Sequence, residues 1–486
     1  MRPRAFGPPN SVALVFLAWI VAIPVFFADR LLNTDGDLAS HLFIGRRVLE
    51  HGIRIPVDWA FTTPDATFVA YEWLSEVALV GVEWAAGLAG VVALATLLIV
   101  GSVALAGAYL RPRVEPFFAL PAMFGVAVLT SAHWSARPHL FTFAGLAILL
   151  HVGASRGRLR LLWLGLLFAF WANLHPGFLY GLAMYVAYLA GHALDRRSAE
   201  AVRTNALSAM AAGAATLLNP LGWGLHANVL HHLSDRAAFD LVDEFAAPGL
   251  DSVYGLSFFT AIALLVALVI TTRRRPDLRV LLPLLLAVAV SLAAQRNIAL
   301  FALYALPLAL ADLLPHASAR LRLISGLRER LRADDATAVT TVWVGAATVL
   351  LAIAAAVSRP GGPARLLPNE FSADVFPVEA VEYAREAGLT GSRVFHDYTW
   401  GGYILHQWPG QQIYIDGMAN LFGSELMEEY AAIVGAEEGW EETLANRGIT
   451  VLILSPKAPL ATAALSDGTW QPLAQNSVTV LLQAAP

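Results

Sequence analysis

The stretch that decides the fold is GLAGVVALATLLIVGSVALAGAYL, residues 87–110, which contains no charged side chain. The arginine-bearing segment RPR, residues 111–113, follows it directly. A helix of about 20 apolar residues is long enough to cross the hydrocarbon core of a bilayer. Residues 87–110 therefore predict a membrane span that ends at a charged loop.

Apolar runs of this kind recur along the 486 residues, 57% of which are hydrophobic. Only 14% of the residues are charged, against about 25% in soluble proteins, and the mean hydropathy is +0.60. We therefore predict a polytopic α-helical membrane protein with about eleven spans. The predicted spans cover residues 11–28, 87–110, 115–132, 138–154, 161–174, 177–194, 203–218, 253–271, 280–294, 298–314 and 337–357.

The arginines indicate which loops face the cytoplasm. Alternate loops between the predicted spans, together with the N-terminal MRPR, carry 19 arginines, whereas the opposite loops carry 7. Positive residues concentrate on the cytoplasmic side of membrane proteins. We therefore expect a cytoplasmic N-terminus and an extracytoplasmic C-terminal tail.

The tail, residues 358–486, differs from the rest in composition. Short apolar runs alternate there with amphipathic segments: RVFHDY (393–398), QQIYIDG (411–417), TVLILS (450–455) and VTVLLQ (478–483) favour strands, and 424–435 and 439–448 favour helices. This alternation predicts a small extracytoplasmic α/β domain. The chain thus divides into a membrane domain, 1–357, with a large first outer loop at 29–86, and the tail domain, 358–486.

Polar side chains gather on the predicted outer side. They are Asp35, Asp37, His41 and Glu72 in the first outer loop, and Arg137, His139, His175 and Arg296 at the ends of later spans. Ionisable groups beside a membrane are costly without partners and often mark function. We expect these span ends to converge on one site.

The residue types at this site suit transfer of a sugar. A carboxylate can act as general base on an acceptor hydroxyl, and arginine and histidine can bind a departing phosphate. Outside the cytoplasm, a membrane-embedded donor would be a sugar on a polyprenyl phosphate. The sequence has no P-loop and no GxGxxG after a predicted strand, so nucleotide-driven chemistry is not indicated, and no nucleic-acid partner is expected.

Several segments resemble the GT-C superfamily of integral-membrane, lipid-phosphosugar-dependent glycosyltransferases. They are residues 35–76, with DGDLASHLFIGRRVLEHG and YEWLSE, WANLHPGFLYG (171–181), LNPLGWGLH (218–226), QRNIALFAL (295–303) and WGGYILHQWPGQQIYIDGMANLFG (400–423). The resemblance implies a multi-pass protein of a bacterial plasma membrane. It also implies that an acidic residue of the first outer loop, Asp37 or Asp35, is the catalytic base.

The sequence departs from two GT-C branches. It has no Asp-Glu pair of the mannosyltransferase type, and its tail has no WWD-like motif of the oligosaccharyltransferases. The acceptor class, whether lipid, protein or polysaccharide, is therefore left open.

Each acidic candidate has a structural alternative. Asp37 precedes an amphipathic run that ends at Gly52, so it is also suited to cap a helix. Asp35 is a natural turn residue. His41, one helical turn after Asp37, is expected on the same face, as an Asp–His unit, a phosphate ligand or an interfacial histidine. The Asp35–Asp37 pair could hold Mg²⁺ or Mn²⁺, although two carboxylates do not establish a metal site.

The remaining candidates are predicted phosphate or substrate ligands. Arg137 and His139 flank Pro138 at a span start, where simple capping is the alternative, and the turn after His175 would direct its ring inward. Arg296, in a short outer turn, needs a phosphate or a carboxylate partner, for which Asp243 and Glu244 are available. In the tail, Asp397 and Asp416 follow predicted strands, as ligands or as turn residues.

Two other functions compete with transfer. A transporter or flippase of lipid-linked sugars would place functional charges deep within its spans, and the predicted spans are nearly free of them. A non-catalytic assembly protein would depend on its tail as a binding module instead of on the outer-loop carboxylates.

Overall fold

The computed structural model describes residues 7–34, 36–155, 157, 159–234, 245–318, 329–333, 335 and 340–485. Helices dominate the described part of the chain before residue 358. In chain order they are α1 (Ser11–Phe26), α2 (Ala28–Asn33), α3 (Asp37–His51), α4 (Trp73–Leu110), α5 (Pro116–Thr130), α6 (His139–Ala154), α7 (Leu159–Leu174), α8 (Phe178–Arg196), α9 (Ala199–Ala215), α10 (Trp223–Ser234), α11 (Val253–Thr272), α12 (Leu278–Ala293), α13 (Leu306–Ser318) and α14 (Thr341–Val357).

A helix lies over each predicted apolar run, which confirms the membrane-helical class. Within the described ranges, four helical segments are long and apolar enough to cross a membrane: Trp73–Leu110, Pro116–His133, Val253–Thr272 and Gln295–Ala317. Shorter apolar helices lie at Ser11–Phe26, His139–Ala154, Leu159–Leu174, Leu278–Ala293 and Thr341–Val357. The number of spans and their sidedness stay predictions.

The helix α4 begins earlier than the predicted span at residue 87. It starts at Trp73 and bends at Gly87, whose φ of 66° breaks the helical geometry. A glycine adopts this left-handed conformation without the steric cost that a Cβ would add. The part of α4 before the bend packs on α3, so the first outer loop is built on an extension of the membrane helix.

The first outer loop is structured. The helix α3 ends where Gly52 adopts φ 78°, as the amphipathic pattern predicts. Two short strands, β1 (Arg54–Pro56) and β2 (Thr67–Val69), then pair antiparallel. Their buried side chains, Ile55 and Phe68, face one another in the register and fix the loop to the core.

The tail forms a mixed sheet with helices around it. Its elements are α15 (Val378–Glu386), β3 (Val394–His396), α16 (Gly401–Gln407), α17 (Ala419–Val434), α18 (Trp440–Asn446), β4 (Val451–Leu454), α19 (Pro459–Asp467), β5 (Trp470–Gln475) and β6 (Val480–Ala484). The strand order is β3-β4-β6-β5. The strands β3 and β4 are parallel, and the other neighbours are antiparallel.

The segment QQIYIDG, expected as a strand of this sheet, joins the first outer loop instead. The backbone N–H of Ile413 donates to Trp59 O at 2.8 Å, and Ile413 O accepts from Phe61 N at 3.3 Å. The hydroxyl of Thr62 donates to Tyr414 O at 2.6 Å. The tail is therefore hydrogen-bonded to the loop that carries the predicted catalytic acids.

The arginines of α3 are held in ion pairs and do not form a freely solvated stripe. Arg46 Nη2 lies 2.7 Å from Glu83 Oε2, and His406 Nε2 lies 2.8 Å from Glu83 Oε1. Arg47 bonds to Asp58 at 2.7 Å. Glu83 on α4 thereby ties α3 to α16 of the tail.

Candidate active site

Asp37 is the first residue of α3, and Gly36 occupies the cap position without a side-chain bond. The Asp37 carboxylate instead accepts a hydrogen bond from Arg137, with Nη1 and Oδ2 2.5 Å apart. Arg137 lies just before α6, and its Nε donates to Ser135 Oγ at 2.9 Å. The structure thus joins two sequence-predicted site residues from different outer loops. Asp35 lies outside the described residues.

His41, one turn further along α3, meets two glutamates at the start of α4. Its Nδ1 is 3.2 Å from Glu76 Oε1 and 3.9 Å from Glu72 Oε2. Burial lowers the pKa of His41, but the hydrogen bond to Glu76 and the negative charge of Glu72 outweigh burial, so the pKa is raised. The sequence places Glu76 among the polar residues of the first outer loop, but it was not among the predicted site residues. The i, i+4 spacing from Glu72 puts it on the same helix face and could have indicated it.

Glu72 also faces His175, whose Nε2 lies 3.6 Å from Glu72 Oε1. The Nδ1 atom of His175 accepts from Gly177 N at 2.9 Å and is 2.8 Å from the Thr142 hydroxyl. Since Trp171 Nε1 donates to that hydroxyl at 3.0 Å, the hydroxyl proton is free to point at Nδ1. This arrangement leaves the proton of the neutral ring on Nε2, directed at Glu72.

Burial and nearby charges set the protonation states of His175 and Glu72. Burial lowers the pKa of His175 to about 3, and the charges of Arg296, His41 and Arg137 act in the same direction. Burial raises the pKa of Glu72 to about 7, with a further contribution from Glu76. His175 is therefore a neutral N–H donor at physiological pH.

Arg296 reaches the same site from the turn before the short helical segment Ile298–Leu300. Its positive charge acts on Glu72, Tyr71 and His175, and its guanidinium lies 4.6 Å from the centre of the Phe245 ring. The carboxylates of residues 243 and 244, expected as possible partners, lie outside the described residues. The structure thus places the predicted arginine beside the acidic cluster.

His139 lies apart from the cluster. Its Nε2 bonds to the backbone carbonyl of His133 at 2.7 Å, and its ring packs edge-on against Phe143. Neither contact is a cap of α6, whose cap position is held by Pro138 without a side-chain bond, so the role of His139 stays a prediction.

The tail contributes Asp416, for which the sequence left a ligand role and a turn role open. Asp416 has no exposed surface, and its Oδ1 accepts from Met418 N at 3.0 Å. Burial raises its pKa to about 7, and the nearby negative charge of Asp37 adds to this. The next residue, Gly417, lies so close that a Cβ placed on it would be 2.5 Å from Asp37 Oδ1.

These residues surround a cavity of about 100 Å³. Its walls are formed by Asp37, Ser40, His41, Ile44, Phe68, Ala70, Tyr71, Glu72, Glu76, Gly417 and Met418. The lining thus combines carboxylates and an imidazole with apolar side chains. Binding pockets commonly combine apolar walls with a few polar groups that fix the orientation of a ligand.

Within the part of the chain that the structure describes, His41, Glu72 and Glu76 form a group that could hold a cation, with ligand atoms within 4.8 Å of one another. This group differs from the Asp35–Asp37 pair that the sequence suggested. Asp37 is bonded to Arg137, which competes with a metal for its carboxylate.

No family model and no curated protein matches the sequence. Solved structures with a similar fold exist. The oligosaccharyltransferase of Archaeoglobus fulgidus in the apo form has a TM-score of 0.52 and 12% identity over 91% of this chain and 68% of that one. The AglB oligosaccharyltransferase of the same organism, in complex with an inhibitory peptide and a dolichol-phosphate, has a TM-score of 0.50 and 12% identity over 92% and 69% of the two chains.

A second solved structure aligns with nearly the whole of this chain. ArnT from Cupriavidus metallidurans, bound to undecaprenyl phosphate, has a TM-score of 0.50 and 14% identity over 98% of each chain. AglB and ArnT are both GT-C membrane glycosyltransferases, so the predicted resemblance is confirmed at the level of the fold. The chain has the GT-C fold.

Proposed function

We propose that this protein is a membrane glycosyltransferase that moves a sugar from a polyprenyl-phosphate donor to an acceptor on the extracytoplasmic face. The observation that carries the proposal is the pairing of Asp37, which lines the cavity, with Arg137, because it joins a base and a phosphate ligand at one place. The fold supports it, since AglB and ArnT were solved with dolichol-phosphate and undecaprenyl phosphate.

Asp37 is the general base in this proposal. The acceptor oxygen attacks the anomeric carbon of the sugar while its proton passes to the Asp37 carboxylate. The bond from the anomeric carbon to the phosphate oxygen breaks, and the polyprenyl phosphate leaves with the bonding electrons. Arg137 donates to the Asp37 carboxylate, and in this proposal the donor phosphate takes over the guanidinium and leaves the carboxylate to accept the proton of the acceptor.

Arg137, Arg296 and His175 bind the phosphate. Two guanidinium groups neutralise the charge that develops on the leaving oxygen. The neutral His175 ring offers its Nε2–H as a further donor without adding a charge. Glu72, whose pKa is raised by burial, forms a wall of the sugar subsite.

The proposal also covers the side of the membrane on which the reaction takes place and the direction from which the acceptor approaches. The arginine distribution puts the cavity and the tail outside the cytoplasm, where lipid-linked sugars and not nucleotide sugars are available. The tail closes over the first outer loop through Ile413 and Tyr414. An acceptor would therefore approach between the loop and the tail, whether it is a lipid, a protein or a polysaccharide.

A donor panel tests the class of reaction. Protein in liposomes is incubated with undecaprenyl-phosphate hexoses and pentoses and, separately, with nucleotide sugars, and released undecaprenyl phosphate is quantified. We expect release from at least one lipid donor and no transfer from nucleotide sugars. An Arg137→Gln/Arg296→Gln double variant should lose release, whereas the exposed Arg54→Gln should keep it. Transfer from a nucleotide sugar, or movement of intact donor across the bilayer without release, would contradict the proposal.

A further inference from the structure

The strongest unassigned feature of the cavity wall is the glutamate–histidine group at the start of α4. Glu76 is 4% exposed, and its Oε1 meets His41 Nδ1 at 3.2 Å. Among the described residues, its second oxygen, Oε2, is buried without a hydrogen-bond partner. A buried carboxylate oxygen of this kind is costly unless a cation or a donor occupies the adjacent space.

We propose that His41, Glu72 and Glu76 bind one divalent transition-metal ion at the wall of the cavity. Glu72 and Glu76 are one helical turn apart on α4, and His41 faces them from α3, so the three ligand atoms lie within 4.8 Å of one another. All three residues line the cavity, which leaves the remaining coordination positions open to water or substrate.

The donor set indicates the class of metal. One imidazole nitrogen and two carboxylates suit Zn²⁺, Co²⁺ or Mn²⁺ better than Ca²⁺ or Mg²⁺, which prefer oxygen ligands. Three protein ligands with an open position are the usual arrangement of catalytic zinc sites. The Nε2 atom of His175 lies 3.6 Å from Glu72 Oε1, so a second imidazole is close to the proposed ligands.

Charges of both signs surround the proposed site. Arg137 is paired with Asp37, whereas the positive charge of Arg296 acts on Glu72 and opposes a cation, so the two carboxylates of the site have to outweigh it. The competing occupant is a proton on His41, which would sit between the same two carboxylates. The two occupants can be told apart, because only a bound metal such as Co²⁺ gives a saturable visible-absorption signal.

If the proposed transfer reaction is correct, the ion lies next to the donor phosphate and adds to the charge neutralisation by the arginines. The metal site itself does not depend on that reaction. Metal binding by a protein without transfer activity, or transfer by a protein that binds no metal, would show that one proposal can fail while the other holds.

Cobalt binding tests the site directly. The purified full chain is stripped with a chelator and titrated with Co²⁺ alone, in the absence of lipid donor, following the visible absorption of the bound ion. We expect one Co²⁺ per chain, displaced by Zn²⁺. His41→Ala and Glu76→Gln should each weaken binding by at least about 10-fold.

His51 and Glu50 supply the matched control, since they form an exposed histidine–glutamate pair on the same helix, 3.6 Å apart. His51→Ala should bind Co²⁺ like the native chain. The ion should also raise the melting temperature of the native protein and of His51→Ala but not of Glu76→Gln. Equal binding by native, His41→Ala and Glu76→Gln proteins, or no saturable Co²⁺ signal in the native chain, would overturn the site.

Discussion

Arg137, just before α6, and Asp37, the first residue of α3, are 100 residues apart in the sequence, yet Arg137 Nη1 lies 2.5 Å from Asp37 Oδ2. The side chain of Arg137 is 16% exposed and that of Asp37 is 36% exposed, so the pair is reachable from the cavity while partly shielded from bulk water. In the proposed reaction, the donor phosphate and Asp37 compete for the same guanidinium. The proposal thereby links donor binding to release of the carboxylate from Arg137.

The first prediction concerns the geometry of Arg137. A guanidinium can bond a phosphate through two parallel N–H groups, whereas an ammonium acts as a single charge. We expect Arg137→Gln to raise the KM for the lipid donor by about 10-fold or more and to lower kcat, and Arg137→Lys to fall between it and the native protein. Steady-state kinetics on the donor measures both. A lysine variant with native kinetics would contradict a requirement for the two parallel N–H groups of the guanidinium.

The second prediction concerns the contact between the tail and Asp37. A methyl group on Gly417 would press on Asp37 Oδ1 at 2.5 Å, so Gly417→Ala should displace the carboxylate and reduce kcat about 10-fold or more. The control is Gly81→Ala on α4, where a Cβ meets open space. Both variants should keep the native melting temperature within a few degrees. Full activity of Gly417→Ala would mean that the tail does not position the base.

The third prediction concerns the ion group between α3, α4 and the tail. The side chain of Glu83 is 11% exposed and pairs with both Arg46 and His406. Removing one partner of a buried ion group leaves the other charges uncompensated, so Glu83→Gln should lower the free energy of unfolding by roughly 3 kcal/mol. The exposed pair Arg365–Glu370 gives the comparison, and Glu370→Gln should change stability by less than about 1 kcal/mol. Equal melting temperatures for both variants would contradict a stabilising role of this group.

The fourth prediction is a pH dependence of stability that arises in the tail. His396 on β3 has no exposed surface, and burial lowers its pKa from 6.5 to about 4. The folded protein therefore keeps the ring neutral where the unfolded chain takes up a proton. Its contribution is complete above pH 6.5 and is lost as the pH falls towards 4, by about 3 kcal/mol in total.

Thermal unfolding between pH 7.5 and pH 4 measures this effect. His396→Gln removes the titrating ring, so the variant should lose less stability on acidification than the native protein. The exposed His51→Gln should follow the native curve. A native curve parallel to that of His396→Gln over the whole range would contradict the assignment.

The sequence predicts the features that depend on local pattern. Long apolar runs predict the helices, and the amphipathic run from Asp37 to Gly52 predicts α3 within one residue. Because ionisable groups are excluded from the membrane, the polar residues at the ends of the spans are expected to lie together at one site. Arg137, His175 and Arg296 do lie around Glu72. These outcomes follow from helix periodicity and from the cost of burying charge in lipid.

Features that depend on contacts distant in sequence were not predictable. Nothing local in IDG, residues 415–417, distinguishes a turn from a segment placed against Asp37. The same holds for the pairing of Ile413 with Trp59 and for the pairing of Arg46 with Glu83. Close packing at Gly402, where a Cβ would overlap Ser40 Oγ, explains in retrospect the paired glycines at 401 and 402.

The central claim is that Asp37 accepts the proton of the acceptor during transfer from a lipid-phosphate donor. A single-turnover experiment at saturating lipid donor tests it most directly, with the native protein, Asp37→Asn and the exposed Asp58→Asn of the same outer loop compared for the rate of polyprenyl phosphate release. We predict a rate at least about 100-fold lower for Asp37→Asn, with a native-like melting temperature and a native rate for Asp58→Asn. A native rate for Asp37→Asn would contradict the account.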